Sequence, residues 1–324
     1  MSLRIGLIGA GGIAREHLPA WRSLGVEVAV WSHAGTAELV AEFGGTAMTG
    51  LAELLAWADA VDIATPTPTH GQLALAALEA RRPVVCEKPL ARTAAEAERV
   101  IVAFEAAGLP LYPAHVVRYF GAYAAARAAV AGGAIGDVAV QRFTRTGSAP
   151  AAAWFHDDVQ SGGLVLDQCL HDLDFARWTA GEVVTAYGQE SAADGVRSVQ
   201  VVLTHAGGAL SFVQGTWARA GTTFRTTFDI AGTGGVLTHD STEHPLLRTD
   251  SGDQPVTGAG RGLLPAMASE SPFRDELAEF LTALQGGSAP RVSARDGLAA
   301  IQIAEAAQRS LDSGLAEPVR GMEA

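Results

Sequence analysis

Lysine is almost absent from this chain. Among 23 basic residues in 324, only Lys88 is a lysine and the other 22 are arginines. Cysteine is nearly as scarce. Cys86 and Cys169 are too few for a disulfide framework or a four-ligand zinc site, so both read as buried thiols of a reducing compartment. Positive charge is short overall: a formal net charge of -12 and a pI near 5.2 argue against a nucleic-acid partner, which selects a basic footprint, and favour a small-molecule substrate. Long apolar runs are missing too. No window reaches the roughly 18 residues of a membrane span, and the alanine-rich AYAAARAAVAGGA is broken by Arg127 and a glycine pair. The opening MSLRIGLIGA enters a strand-like run with no export-signal core or cleavage site, so a cytoplasmic protein is expected.

What the chain does contain is a clear change of grammar. At this length a single core is unusual, and two domains are expected. Up to about residue 117, short apolar runs (LRIGLIG, VEVAVW, TAM, VDIATP, PVVCE, PLYPAH) alternate with helical patterns, which is the signature of βαβ units. Six such strands make a doubly wound Rossmann sheet. Beyond that point longer β-like runs dominate, from DVAVQRFTRTG to GGVLTHDS, and several alternate apolar and polar residues as a two-faced antiparallel sheet does. Two helical patterns, PFRDELAEFLTALQGG and ARDGLAAIQIAEAAQRSL, close the chain. The expected fold is therefore α/β: a Rossmann dinucleotide domain over 1–117, and an α/β domain with an open, mainly antiparallel sheet over 118–324. The Gly- and Pro-rich run 252–267 reads as the most mobile loop.

Between the first strand and first helix, GLIGAGGIA places Gly9, Gly11 and Ala14 as G-x-G-x-x-A. Gly9 suits the tight turn, Gly11 lets backbone approach a pyrophosphate, and Ala14 allows close helix–strand packing; Gly12 and Ile13 lead into a helix N-terminus that offers free N–H groups. After the second strand, where NAD-binding folds usually carry Asp or Glu for the ribose, the chain reads Trp31, Ser32, His33. Without a carboxylate to repel a 2′-phosphate, this loop favours NADP over NAD, although the arginine usual in NADP sites is missing unless Arg15 or Arg22 folds over. Trp31 either packs or stacks on adenine. At the end of the fourth strand, ATPTPTHGQ sets Thr65, Pro66 and Thr67 toward the dinucleotide, and His70 is open to a structural or a functional reading.

Glu87 and Lys88 follow the fifth strand, so the same strand-end rule brings them to the cofactor crevice. A chain that otherwise uses arginine keeps an ammonium here, and only an ammonium exchanges protons near neutral pH. A surface lysine paired with Glu87 is the bland reading. In SGGLVLDQCLHDLDFARW, Asp167 and His171 stand four apart and share one helix face in an otherwise apolar segment. Two ionisable groups there are costly unless they pair or work. Lys88, Asp167 and His171 are the candidate catalytic and substrate-binding residues, and Trp154 in AAAWFHDD is a candidate for stacking on substrate or simple packing. Asp172, Asp174 and His115 do not complete a metal-ligand spacing, so no metal is expected.

Taken together, GLIGAGGIA, TPTPTH, CEKPLA, VVRYF and SGGLVLDQCLHDLD resemble, in order and over the whole chain, the Gfo/Idh/MocA oxidoreductases, the family of glucose–fructose oxidoreductase and inositol dehydrogenase. The resemblance implies hydride transfer between a nicotinamide and a secondary alcohol or ketone of a sugar or polyol. It places Lys88, Asp167 and His171 around the reacting carbon and a cis peptide at Lys88–Pro89. It also implies a homodimer or homotetramer built through the open face of the second sheet. Cys169 stands where many members have glycine, which is expected to narrow the substrate pocket. Two other classes fit the same residues: an imine or enone reductase on this scaffold, and a non-catalytic dinucleotide sensor.

Overall fold

A computed structural model describes residues 2–243, 247–251 and 271–321. Strands and helices alternate along the first part: β1 (Arg4–Ile8), α1 (Ala14–Ser23), β2 (Glu27–Trp31), α2 (Thr36–Phe43), β3 (Thr46–Ala47), α3 (Leu51–Trp57), β4 (Ala60–Ile63), α4 (His70–Glu79), β5 (Val84–Glu87), α5 (Ala94–Ala107) and β6 (Leu111–Ala114). The strands pair in parallel in the order β3-β2-β1-β4-β5-β6. This is the doubly wound order, in which the winding reverses between β1 and β4 and ligands bind beyond the strand C-termini at that reversal. The central strands β4 and β5 are buried throughout, as a sheet covered on both faces requires. The short α3, which the sequence pattern did not separate from its neighbours, seats Leu54 against Gly6 of β1, where any side chain would collide with it.

The second part contains α6 (Gly121–Ala131), β7 (Val138–Ser148), α7 (Asp158–Ser161), α8 (Leu170–Ala180), β8 (Val183–Ala193), β9 (Val196–His205), β10 (Leu210–Ala218), β11 (Arg225–Gly232), β12 (Gly235–Asp240) and β13 (Arg248–Ser251). Then come α9 (Pro272–Leu284), α10 (Ala294–Ser313) and β14 (Glu317–Pro318). Among the described residues eight strands form one sheet in the order β13-β12-β11-β7-β10-β9-β8-β14. It is mainly antiparallel, as expected, with one parallel pair, β7 with β10. Residues of one face, among them Phe143, Val201, Val213, Phe228 and Ile230, are fully buried, and Phe175 of α8 packs its ring against Phe143 and Phe228. The opposite face carries hydroxyl pairs such as Thr144 with Thr227 and Ser198 with Thr216.

Contacts divide the chain into two compact units, 1–119 with 269–298, and 120–268 with 299–324. A single cut between 117 and 118 puts 269–298 in the wrong half. The reason is the apolar face of α9: Leu277 and Phe280 are fully buried in the same core cluster as Leu18 and Trp21 of α1, and Phe280 stacks on Tyr112 at 5.4 Å. Each buried side chain of this size contributes roughly 1.5–3 kcal/mol, enough for two to hold a helix in place. The run 252–267 lies outside the described residues. Among those described, no helix is long and apolar enough to cross a membrane.

Candidate active site

The glycine turn has the form that a phosphate cradle needs. Gly9 has φ +121°, and a Cβ there would lie 2.3 Å from the Ala64 carbonyl oxygen at the end of β4, so only glycine fits. Its N–H donates to Trp31 O at 2.9 Å, which ties the turn to β2. Gly11 and Gly12 face open space, with nothing within 4 Å of an added Cβ, at the N-terminus of the ten-residue α1. Buried Ala14 and exposed Ile13 complete the turn. An open cradle of backbone N–H groups fits a dinucleotide pyrophosphate.

In the loop after β2, Trp31 and Ser32 are half-buried and His33 is exposed, with the Trp31 and His33 rings edge to face at 5.0 Å. Neither nearby arginine is turned to a 2′-phosphate. Arg15 pairs with Glu42 and lies over the Phe43 ring, while Arg22 donates to the Phe43 carbonyl. The leaning toward NADP therefore lacks its basic partner.

Beyond β4 and β5 two loops are clamped together. Thr65 is half-buried, Pro66 exposed and Thr67 buried. Buried His70 has Nε2 2.8 Å from Thr65 O and Nδ1 2.7 Å from Pro89 O, and burial pushes its pKa below the usual histidine value. Both ring nitrogens face backbone carbonyls, so His70 holds the Lys88–Pro89 loop to the Thr65 loop and directs neither nitrogen at a cofactor. Lys88 is half-buried at this clamp, and the Lys88–Pro89 peptide is cis. Glu87 is turned inward: its Oε2 accepts the Lys88 amide N–H at 2.9 Å.

Behind Glu87 lies a cluster that the sequence reading missed. Fully buried His17 of α1 has Nδ1 2.9 Å from Asp62 Oδ2, and the Trp21 indole N–H donates to the same oxygen at 2.6 Å. His17 Nε2 lies 3.3 Å from Glu87 Oε1, an ion-pair contact too poorly aligned for a good hydrogen bond. Burial opposes charge on His17, but Asp62 and Glu87 outweigh it and hold its pKa well above the usual value. Burial likewise opposes the Glu87 carboxylate, and His17, Lys88 and His70 outweigh it and hold its pKa low. Buried Glu276 of α9 is different: burial, then the charges of Glu87 and Asp62, push its pKa well above the carboxylate range. The available signals were Asp62 inside an otherwise apolar strand and the spacing of four between His17 and Trp21.

In the second unit Asp167 lies in a π-helical turn, Val165–Cys169, that runs into α8, where an unbroken α-helix was expected. The Gln168 amide donates to Arg145 O on β7 at 2.6 Å, and Cys169 and Leu170 are fully buried between half-buried Asp167 and His171. The Cys169 sulfur packs on the sheet at Gly215 of β10, where a Cβ would lie 2.4 Å away, and burial pushes its pKa up. Next to His171, Asp172 takes a bidentate, fully buried pair from Arg145, at 2.9 Å and 2.8 Å, which pins α8 to β7. Trp154 is half-buried and stacks on its neighbour Phe155 at 3.8 Å. Among the described residues no group of three or more His, Cys, Asp and Glu side chains is placed to hold a metal ion.

Comparison with known proteins agrees with this architecture. The family model described as "Oxidoreductase family, NAD-binding Rossmann fold" matches residues 3–115, and the "GFO/IDH/MocA C-terminal domain" matches 123–238. D-apiose dehydrogenase of Paraburkholderia graminis is 29% identical over 98% of this chain and 90% of its own length. Inositol 2-dehydrogenase 4 of Saccharopolyspora erythraea is 30% identical over 82% of this chain and 78% of its own. In fold, the chain matches levoglucosan dehydrogenase in complex with NADH at a TM-score of 0.88, with 24% identity, covering 99% of this chain and 100% of that one. With residues 3–115 and 123–238, more than half of the chain, matched in order and the motif set in place, the chain belongs to the Gfo/Idh/MocA oxidoreductases.

Proposed function

We propose that the protein is an NAD-dependent dehydrogenase that interconverts a secondary alcohol and a ketone on a sugar, polyol or related hydroxylated compound. The observation that carries this reading is the His70 clamp, which ties the loop of the chain's only lysine to the Thr65 loop at the strand ends where the Rossmann fold takes its dinucleotide. The curated relatives, which are dehydrogenases of apiose and inositol, support the substrate class. The family description and the engagement of Arg15 and Arg22 elsewhere support NAD over NADP.

On the turn that Gly9 makes possible, Gly11, Gly12 and the start of α1 would hold the pyrophosphate, and Thr65, Pro66 and Thr67 would line the dinucleotide. Bound NAD supplies the hydride acceptor. In the oxidative direction His171 takes the hydroxyl proton as general base, and the Lys88 ammonium donates a hydrogen bond to the same oxygen as negative charge develops on it. Asp167 orients the substrate hydroxyls and keeps His171 in its working tautomer. In the reductive direction His171 returns the proton. We also propose a homodimer or homotetramer formed through the hydroxyl-lined face of the second sheet. Light scattering of wild type and Thr216→Arg tests it, and an unchanged mass in the variant refutes that interface.

The test of function is a panel of myo-inositol, D-apiose and levoglucosan with NAD or NADP, followed by absorbance of the reduced cofactor. Turnover with NAD on at least one member is expected. Turnover confined to reduction of an imine or enone, or NADH binding without turnover on any substrate, overturns the reading in favour of the reductase or the sensor.

A further inference from the structure

His17 joins two parts of the first unit that the reaction has to keep in register. It sits one turn into α1, the helix whose N-terminus forms the phosphate cradle, and its ring reaches β4 on one side and β5 on the other. On the β4 side, Asp62 receives both His17 and Trp21. On the β5 side, Glu87 offers one oxygen to His17 and uses the other for the Lys88 amide. The Phe273 ring of α9 closes over His17 at 5.7 Å, and Glu276 adds a carboxyl with no hydrogen bond to either oxygen among the described residues. A fully buried imidazole between two carboxyl groups is costly to desolvate, and an apolar core needs no such device for stability alone.

We propose that His17 is a positioning residue for the reaction: bonded to Asp62 through Nδ1 and facing Glu87 through Nε2, it fixes the carboxylate that receives the Lys88 amide N–H and so sets how the Lys88 ammonium is presented to the substrate oxygen. This rests on the role given above to Lys88. The two carboxyl groups hold His17 protonated well above its usual pKa, which gives both ring nitrogens a proton to direct. The cradle helix is also anchored to Asp62 through Trp21, so a loss confined to the Glu87 side of His17 bears on the lysine rather than on the phosphate site.

Two substitutions separate the two contacts. His17→Asn keeps an amide near the Nδ1 position, toward Asp62, and loses the reach to Glu87. His17→Gln carries its amide toward the Nε2 position and Glu87. Steady-state kinetics on the best substrate among myo-inositol, D-apiose and levoglucosan, NADH binding by fluorescence and thermal melting are measured on both. His17→Asn is expected to lower kcat by roughly tenfold to a hundredfold, the size of a misplaced catalytic group, with NADH affinity and substrate KM little changed. His17→Gln should recover most of that loss even if it melts lower. An Asn variant with kcat within about twofold of wild type, well short of what a misplaced group costs, overturns the proposal. So does a kcat that falls in step with melting temperature in both variants. If neither variant folds, nitrogen NMR of the wild-type His17 ring decides: two protonated nitrogens at neutral pH are expected, and a neutral ring overturns it. Lys88→Met keeps this test apart from that of the parent reading. Full turnover in Lys88→Met removes the role of Lys88 itself, whereas lost turnover there with an active His17→Asn removes only the role of His17.

Discussion

Gly215→Ala is a small change aimed at the support of the second half of the candidate site. The added Cβ would lie 2.4 Å from Cys169 Sγ and 3.5 Å from Leu164 Cδ1, and below 3.0 Å something must shift. The sulfur is fully buried and cannot swing into solvent, so the strain passes into the π-helical turn that carries Asp167. Overpacking of this kind costs about 1–3 kcal/mol. In a unit of this size each kcal/mol lowers the melting temperature by about 2–4 °C, so a fall of about 2–12 °C is expected by calorimetry. Turnover should fall as well, because Cys169 lies between Asp167 and His171, while NADH binding, which belongs to the other unit, should hold. Cys169→Ala removes the colliding atom. The double variant should therefore regain stability and turnover relative to the sum of the single changes, with a coupling of roughly 0.5–3 kcal/mol. Strict additivity, or a Gly215→Ala protein that melts like wild type, would show that the sulfur does not pack there.

Lys88→Arg keeps the charge but replaces the compact ammonium with a broad, planar guanidinium; kcat on the best substrate of the panel should fall by roughly 10²-fold or more while NADH still binds, and near wild-type kcat would refute the hydrogen bond from the ammonium to the substrate oxygen. Asp172→Ala leaves the Arg145 guanidinium buried without its bidentate partner and should destabilise the protein by roughly 3–5 kcal/mol in denaturant melts. Glu276→Gln tests the raised carboxyl pKa: the folded chain holds this proton well above pH 4.5, where the unfolded chain releases it, so wild-type stability drains away as pH rises through that interval. The melting-temperature advantage of Glu276→Gln should accordingly grow from about pH 4.5 upward, and a difference that is flat with pH refutes it.

Much of the fold could be read from the sequence because its punctuation is local. Apolar runs such as VVCE and AVDI mark strands covered on both faces, and the glycine turn announces the first crossover. What escaped depends on distant contacts. The pattern of α9 shows that one face is apolar but not whose core receives it, and here the receiver is α1, some 260 residues earlier in sequence. The π-helical turn escaped for the same reason. Spacing of four suggests an α-helix, yet the turn is held by Gln168 reaching carbonyls 23 and 48 residues away. Alanine-rich α6 escaped differently, since alanine is compatible with either face and leaves the helical period without contrast.

The site was legible where composition and position agreed and illegible where only position spoke. Lys88 stood out because its residue type is otherwise missing, and the strand-end rule then located it. Asp167 and His171 stood out because ionisable groups interrupt an apolar helix. His17, spaced four from Trp21, and Asp62 in the middle of AVDI are equally out of place among apolar neighbours, but neither residue type is rare in this chain. A carboxyl in a central parallel strand has no solvent to turn to on either face, so it requires a donor from a covering helix, and the helix after the first strand covers that part of the sheet in any doubly wound fold. His17 and Trp21 are the two donors that requirement finds. Glu87 closes the chain of contacts because β5 lies beside β4 in parallel register, Ile63 opposite Cys86, and its last residue therefore falls just past the end of β4, at the level where the His17 ring arrives.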